Sequence, residues 1–319
     1  MKAYIPKYSN FAGRWIYDGY GRAWESLGFD VAEELTEDPD GLTAFTSQIP
    51  TGRENLEEEY VLMSVGECIL HNPPLFLKAA QNSHKTFIHV QPHTFPDPWG
   101  RHRNFVSRMP DDIIEAINSL PNVHLWAFSD AVDIPGHYDK WKKVNCIPLA
   151  FDSIGYQPTD EPKYKQFDVS FVGGWANNGF DEKRKIIIEI FTAFKDSGLK
   201  CGFFINKNLT HQQECDLLAN SKLTLNIHDA YQRILGHDTN ERTFKSLGLN
   251  GALVSDSVGQ LSRLFPDIKT SSDAQEMVNL VKQALSLSES ELNTIKQKNK
   301  QDILDNHCYT NRVEALLAL

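Results

Sequence analysis

No run of apolar residues in this 319-residue chain reaches the about 18 that a membrane-spanning helix needs, so no span is expected. The opening segment MKAYIPKYSNF lacks the apolar stretch of a secretion signal, and a cytoplasmic location is expected. Cysteine is scarce. Cys68, Cys146, Cys201, Cys215 and Cys308 are scattered, odd in number and without a CxxC pair. That pattern counts against a disulfide framework and a zinc knuckle, and the thiols read as small buried apolar groups. Basic charge is in deficit, with 32 Lys and Arg against 42 Asp and Glu and a net charge of −10. The deficit is uneven: residues 1–158 hold 13 basic and 21 acidic side chains, residues 159–319 hold 19 and 21. A polyanion is therefore repelled by the first half, which disfavours nonspecific binding of DNA or RNA. GxSxG, Walker and HExxH motifs are all missing, against hydrolase, NTPase and metalloprotease chemistry.

What is present is an ordinary soluble composition, 41% apolar and 23% charged, in a chain long enough for two domains. Short apolar runs alternate with helical patterns. AYIP, FDV, EYVLMSVG, KTFIHVQPH, NVHLWAFS and KVNCIPLAF read as strands; GRAWESLG, PPLFLKAAQNS and PDDIIEAINSL read as helices. SNFAGRWIYDGY reads as a loop rich in glycine and aromatics. The polar stretch 156–166, with two prolines, marks a linker. Beyond it the alternation restarts with strand FDVSFVGG, helix EKRKIIIEIFTAFKDSG, strand LKCGFFI, helix HQQECDLLANS and strand KLTLNIHD. An α/β chain with two doubly wound domains is expected, at 1–158 and 159–300, with a terminal helix over 301–319. Ligands of such sheets sit at the carboxyl ends of the strands, in a cleft.

The stretch DTNERTFKSLGLNGALVSD, residues 238–256, carries the strongest chemical signal. A polar segment opens an amphipathic helix, glycines close it, and an apolar strand runs into Asp256. Arg242 stands near the helix start, where a guanidinium can clamp a diphosphate in two places. Asn240 or Thr239 can cap the helix, and Glu241 with Lys245 forms an i,i+4 pair that also suits a plain solvated face. Upstream, Gly173 and Gly174 follow a strand and let backbone N–H groups approach a phosphate, with Arg184 in the next helix adding charge. A tight turn explains the same two glycines. His93 follows a strand end, where it can hydrogen-bond a sugar, move a proton, or serve structure alone; Pro92 and the β-rich run before it argue against a zinc-binding helix. Gly13, Arg14, Tyr17 and Tyr20 suit a sugar acceptor, with core packing as the competing account. GYGRAW gives half of a dinucleotide fingerprint, with a tryptophan where the third glycine belongs.

Taken together, FDVSFVGGW, LANSKLTLNIHD, NERTFKSLGLNGALVSD and HCYTNRVEALL resemble the glycosyl transferases group 1 family, in particular its CgeB-like branch, over residues 145–319. The resemblance implies a GT-B fold with two facing Rossmann-like domains and a C-terminal helix, 301–319, that crosses back to pack on the first. It implies a nucleotide-diphosphate sugar in the second domain, a carbohydrate or other hydroxyl acceptor, and a hexosyl or pentosyl transfer needing neither metal nor cofactor. A retaining course is implied, the leaving phosphate assisting the incoming hydroxyl on the same face. Arg242, Glu241 and His93 are then the expected catalytic residues. Gly173, Gly174, Trp175, Arg184, Asn206, Asp229, Asn240 and Lys245 form the expected donor set, and Tyr309 and Arg312 are structural. A nucleic-acid acceptor is disfavoured by the acidic first half. One departure stands out: the family's ribose-holding glutamate is Lys245 here. A non-catalytic sugar-nucleotide binder on the same fold, motivated by Lys245, and an NAD-dependent oxidoreductase, motivated by GYGRAW, are the alternatives.

Overall fold

The computed structural model describes residues 1–8, 11–32, 45–46, 59–94, 106–159, 164–174, 182–207 and 209–319. The chain divides into two compact units. Unit 1 comprises Met1–Pro148 with Tyr309–Leu319, and unit 2 comprises Leu149–Cys308. The division thus falls at 148/149, ahead of the 158/159 boundary read from the linker, and only the last helix leaves unit 2.

Unit 1 runs β1 (Lys2–Tyr4), β2 (Lys7–Tyr8), α1 (Phe11–Ser26), β3 (Asp30–Ala32), β4 (Phe45–Thr46), β5 (Tyr60–Val65), α2 (Gly66–His71), α3 (Pro73–Asn82), β6 (Lys85–His89), α4 (Asp111–Ser119), β7 (Val123–Ala127) and β8 (Val144–Cys146). Six strands form a parallel sheet in the order β3-β1-β5-β6-β7-β8, and β2 pairs antiparallel with β4. β5 is buried at every residue, as a central parallel strand with helices on both faces must be. The segment read as an N-terminal loop is the first half of α1. Its buried side chains Ile16, Tyr17, Tyr20, Ala23 and Trp24 recur three and four apart, the spacing of a core-facing helical stripe.

Unit 2 runs β9 (Val169–Gly173), α5 (Glu182–Lys195), β10 (Cys201–Ile205), α6 (His211–Asn220), β11 (Leu223–Asn226), α7 (Ala230–Leu235), α8 (Glu241–Leu249), β12 (Leu253–Ser255), α9 (Gly259–Leu264), β13 (Lys269–Thr270), α10 (Ala274–Ser286) and α11 (Glu289–Asn306). Its five strands are all parallel in the order β10-β9-β11-β12-β13. The strand order reverses between β9 and β11, so the topological switch point lies there. Phe171, Ile187, Ile190, Phe194, Leu225 and Val278 are among the side chains of its core.

The final helix, α12 (Tyr309–Leu317), packs within unit 1 on α1. Gly19 makes this possible, because a Cβ there would lie 2.5 Å from the Tyr309 ring. Arg312 is buried and donates its Nε–H to the Pro148 carbonyl at 2.8 Å, and Lys85 donates to the Leu317 carbonyl at 2.7 Å.

Candidate functional site

The carboxyl ends of β9 and β11 converge on one side chain. Arg242 is the second residue of α8, whose N-cap Asn240 accepts from the Thr243 N–H at 3.3 Å. From there the guanidinium reaches across the switch point. Nε donates to the Val172 carbonyl at 2.6 Å, and Nη1 donates to Asn226 Oδ1 and to the Ile227 carbonyl, both at 3.1 Å. The group also lies over the Phe171 ring at 4.7 Å. Three N–H bonds are therefore spent on the sheet itself and the residue after it, and Nη2 is left facing Gly173. Burial lowers the pKa of Arg242, opposed by Glu241, Glu214, Asp229 and Asp256. A guanidinium keeps its charge under such conditions.

The two glycines earn their places by contact. A Cβ on Gly173 would sit 2.5 Å from Arg242 Nη2, and one on Gly174 would sit 2.5 Å from Asn206 Oδ1. Asn206 itself adopts φ 51°, a left-handed conformation that asparagine tolerates better than most residues, and its N–H donates to the Gly173 carbonyl at 2.9 Å. Trp175 lies outside the described residues.

The second cation is not the one expected. Arg184 is exposed on α5, whereas its neighbour Lys183 is largely buried and pairs with Asp229 at 2.6 Å. Burial lowers the pKa of Lys183, Asp229 opposes this, and Arg242 adds to it, which puts the two cations in each other's field. The correction was available in the sequence. Ile187, Ile190 and Phe194 form the buried stripe of α5, and Lys183 precedes Ile187 by four residues, on the same face. Asp229 also caps α7 through a reciprocal capping box with Gln232.

Lys245, expected on the donor, is instead enclosed. It is buried, with Nζ 2.6 Å from Glu214 Oε1, 3.4 Å from Glu241 Oε1 and 5.5 Å from the Tyr156 ring centre. Burial disfavours its charge, yet the two glutamates override that and raise its pKa. The side chain is thus committed to an internal ion cluster and is corrected from donor ligand to structural cation. Glu241 is correspondingly tied to Lys245.

In unit 1, His93 lies beyond the end of β6. Its N–H donates to the His137 carbonyl at 2.7 Å and its ring faces Trp141 at 5.7 Å. Burial, then Lys140, lower its pKa against Asp111 and Asp139. The acceptor set is corrected at two positions. Tyr20 is fully buried, packed on Tyr309 at 4.8 Å and Trp126 at 5.6 Å, and Tyr17 is 4% exposed. Burial also pushes the Tyr20 hydroxyl well above the ordinary tyrosine pKa, with Arg312 opposing. Both tyrosines serve the core. Gly13 and Arg14 lie on the outer part of α1, where Arg14 pairs with Asp18 at 3.6 Å.

A cavity of about 460 Å³ also exists in unit 2, but at the amino ends of β11 and β12, lined by Leu223, Leu253, Leu280, Ala284 and Leu292. The charged groups at its edge, Lys298 and Asp267, pair with each other at 2.6 Å. Among the described residues, no three of His, Cys, Asp and Glu are grouped to hold a metal ion, and no helix is long and apolar enough to cross a membrane.

Residues 165–318 match the family model described as glycosyl transferase-like. The fold is similar to that of the α,α-trehalose 6-phosphate synthase of Burkholderia multivorans, at 11% identity over 82% of this chain and 70% of that one, with a TM-score of 0.51. It is similar to the same degree to trehalose-6-phosphate synthase OtsA, at 9% identity over 82% and 72%, also with a TM-score of 0.51. At such identities the likeness is one of fold. No curated protein sequence matches the chain at a significant level. The chain has the α/β architecture of GT-B glycosyltransferases, and the resemblance read from its second half holds at that level.

Proposed function

We propose that this protein, in the cytoplasm, transfers a hexosyl or pentosyl group from a nucleoside-diphosphate sugar to a hydroxyl acceptor. The observation that supports this reading is the convergence of Arg242, Lys183, the Gly173–Gly174 turn and the N-terminus of α8 at the switch point of the unit 2 sheet. A diphosphate is the ligand such a set fits. Its oxygens would meet Nη2 of Arg242 and the ammonium of Lys183, which would exchange Asp229 for the phosphate.

Transfer breaks the bond between the sugar's anomeric carbon and the diphosphate oxygen, and negative charge gathers on that oxygen. Arg242, Lys183 and the helix N-terminus would stabilise the charge without a bound cation, because they are already in place in a partly desolvated setting. The anomeric carbon then bonds to the acceptor oxygen. In the retaining course proposed here, the released phosphate oxygen takes the acceptor's proton. In unit 1, His93 is proposed to hydrogen-bond an acceptor hydroxyl.

Thermal shift against UDP, GDP, ADP, CDP and TDP, with NAD as control, tests the reading. One nucleoside diphosphate should raise the melting temperature, by an amount equivalent to about 2.7 kcal/mol at one hundred times its Kd. Arg242→Ala should abolish that shift. A shift with NAD alone, or with none of the panel, would overturn the proposal.

A further inference from the structure

Six polar side chains of unit 2 are withdrawn from solvent although the proposed reaction touches none of them. Asn226, His228, Thr239, Thr243, Ser255 and Asp256 are each at most 1% exposed. Burying so many polar groups is costly unless each is paired, and here they are paired in sequence.

The two ends of the array fix its direction. At one end Arg242 can only donate, so the oxygen of Asn226 faces it, with Nη1 to Oδ1 at 3.1 Å. The amide nitrogen of Asn226 must then point the other way, and it donates to Thr243 Oγ1 at 2.9 Å. At the far end the Asp256 carboxylate accepts from His228 Nδ1 at 2.5 Å and from the His228 N–H at 3.0 Å. With Nδ1 carrying the proton, His228 Nε2 is an acceptor. It takes the hydroxyl proton of Thr239 at 2.8 Å, and Thr239 Oγ1 in turn takes that of Thr243 at 2.7 Å. Every bond donates toward Asp256. A shorter branch through Ser255 Oγ, with two contacts of 3.4 Å, runs the same way. A second proton on His228 would leave one of the two threonine hydroxyls with no acceptor inside the array. The neutral Nδ1–H tautomer is therefore the form that satisfies all members.

We infer that His228 and Asp256 are positioning residues that, through Thr239, Thr243 and Asn226, hold the guanidinium of Arg242 at the angle that leaves Nη2 for the diphosphate. The inference rests on the functional reading above. Neither residue touches the ligand; both fix which face of Asn226 meets the arginine.

The test is calorimetric titration of UDP, GDP, ADP, CDP and TDP into wild type and variants. Thr243→Val keeps the shape and removes the central donor and acceptor. It should weaken the diphosphate that binds by about tenfold, the worth of one well-made hydrogen bond network link. Thr243→Ser, which keeps the hydroxyl, should restore affinity. Thr239→Val, one link further from the arginine, repeats the measurement if the first variant does not fold. A purely structural role would lower the melting temperature and leave the affinity of the folded variants unchanged. Wild-type affinity in Thr243→Val and Thr239→Val, with affinity lost in Arg242→Ala, would overturn the inference and spare the functional reading. Unchanged affinity in Arg242→Ala would sink both.

Discussion

Lys183 lies on the buried stripe of α5, while Arg184 shares the solvent face with Ile188, which is half exposed. Adjacent residues of equal charge thus have opposite uses. Lys183→Ala should reduce nucleoside-diphosphate affinity about tenfold, the scale of one charge-assisted hydrogen bond, whereas Arg184→Ala should change it less than about twofold. Isothermal titration of the two variants side by side checks this. Lys245 is a second case. Glu214 and Glu241 flank it. Lys245→Glu would gather three carboxylates in a buried cluster, and Lys245→Met would strand two. Breaking a buried pair costs about 3–5 kcal/mol, so both variants should lose stability on that scale in urea unfolding, the glutamate variant more. A Lys245→Glu protein as stable as wild type would contradict the enclosed role assigned to the lysine.

At the scale of elements, the α8 segment was legible because its start, its closing glycines and the strand after it are all written locally. The cap at Asn240 and the helix from Glu241 follow the expected pattern. What no local pattern shows is that Arg242 bonds carbonyls seventy and fifteen residues away, at Val172 and Ile227. Gly173 becomes intelligible only through that reach. Gly173→Ala would press a methyl group against both the pinned guanidinium and Phe171, whose ring lies 2.9 Å from the Cβ position. Displacing the guanidinium should weaken nucleoside-diphosphate binding at least about tenfold while the far-ultraviolet circular dichroism stays native. Helix α1 was misread for the opposite reason. Gly13 and Gly19 point to a loop, yet the apolar stripe and the close approach of Tyr309 to Gly19 favour a helix. Propensity gave way to packing.

For the whole molecule, stability should depend on pH through two groups, the first of them far from the proposed chemistry. Lys296 is half-buried, donates to the Ser221 carbonyl at 3.1 Å, and is held by burial, with Lys300 beside it, at a pKa of about 8. Its folded pKa lies below its unfolded value, so the unfolded chain binds more protons between about pH 8 and 10. This lysine therefore opposes folding at neutral pH, and the opposition fades as pH rises. The melting temperature of Lys296→Met, relative to wild type, should accordingly be most favourable near pH 7 and decline toward pH 10; a flat difference would refute the assignment. Asp256 acts with the other sign. Burial raises its pKa, but the hydrogen bonds from His228, with Arg233, hold it below the usual carboxylate value. Its contribution is present above about pH 4 and is lost as pH falls through the folded pKa. The sequence by itself determined the alternation of strands and helices, the division into two α/β parts and the segment that carries Arg242, because periodicity, capping and turn residues act over a few neighbours. Tertiary structure alone decided that the Lys183 face of α5 meets the switch point, that Lys245 is enclosed by carboxylates, and that Tyr20 packs on Trp126 and Tyr309. Each of those depends on which side chains a parallel sheet brings together from distant parts of the chain, and no local spacing records that.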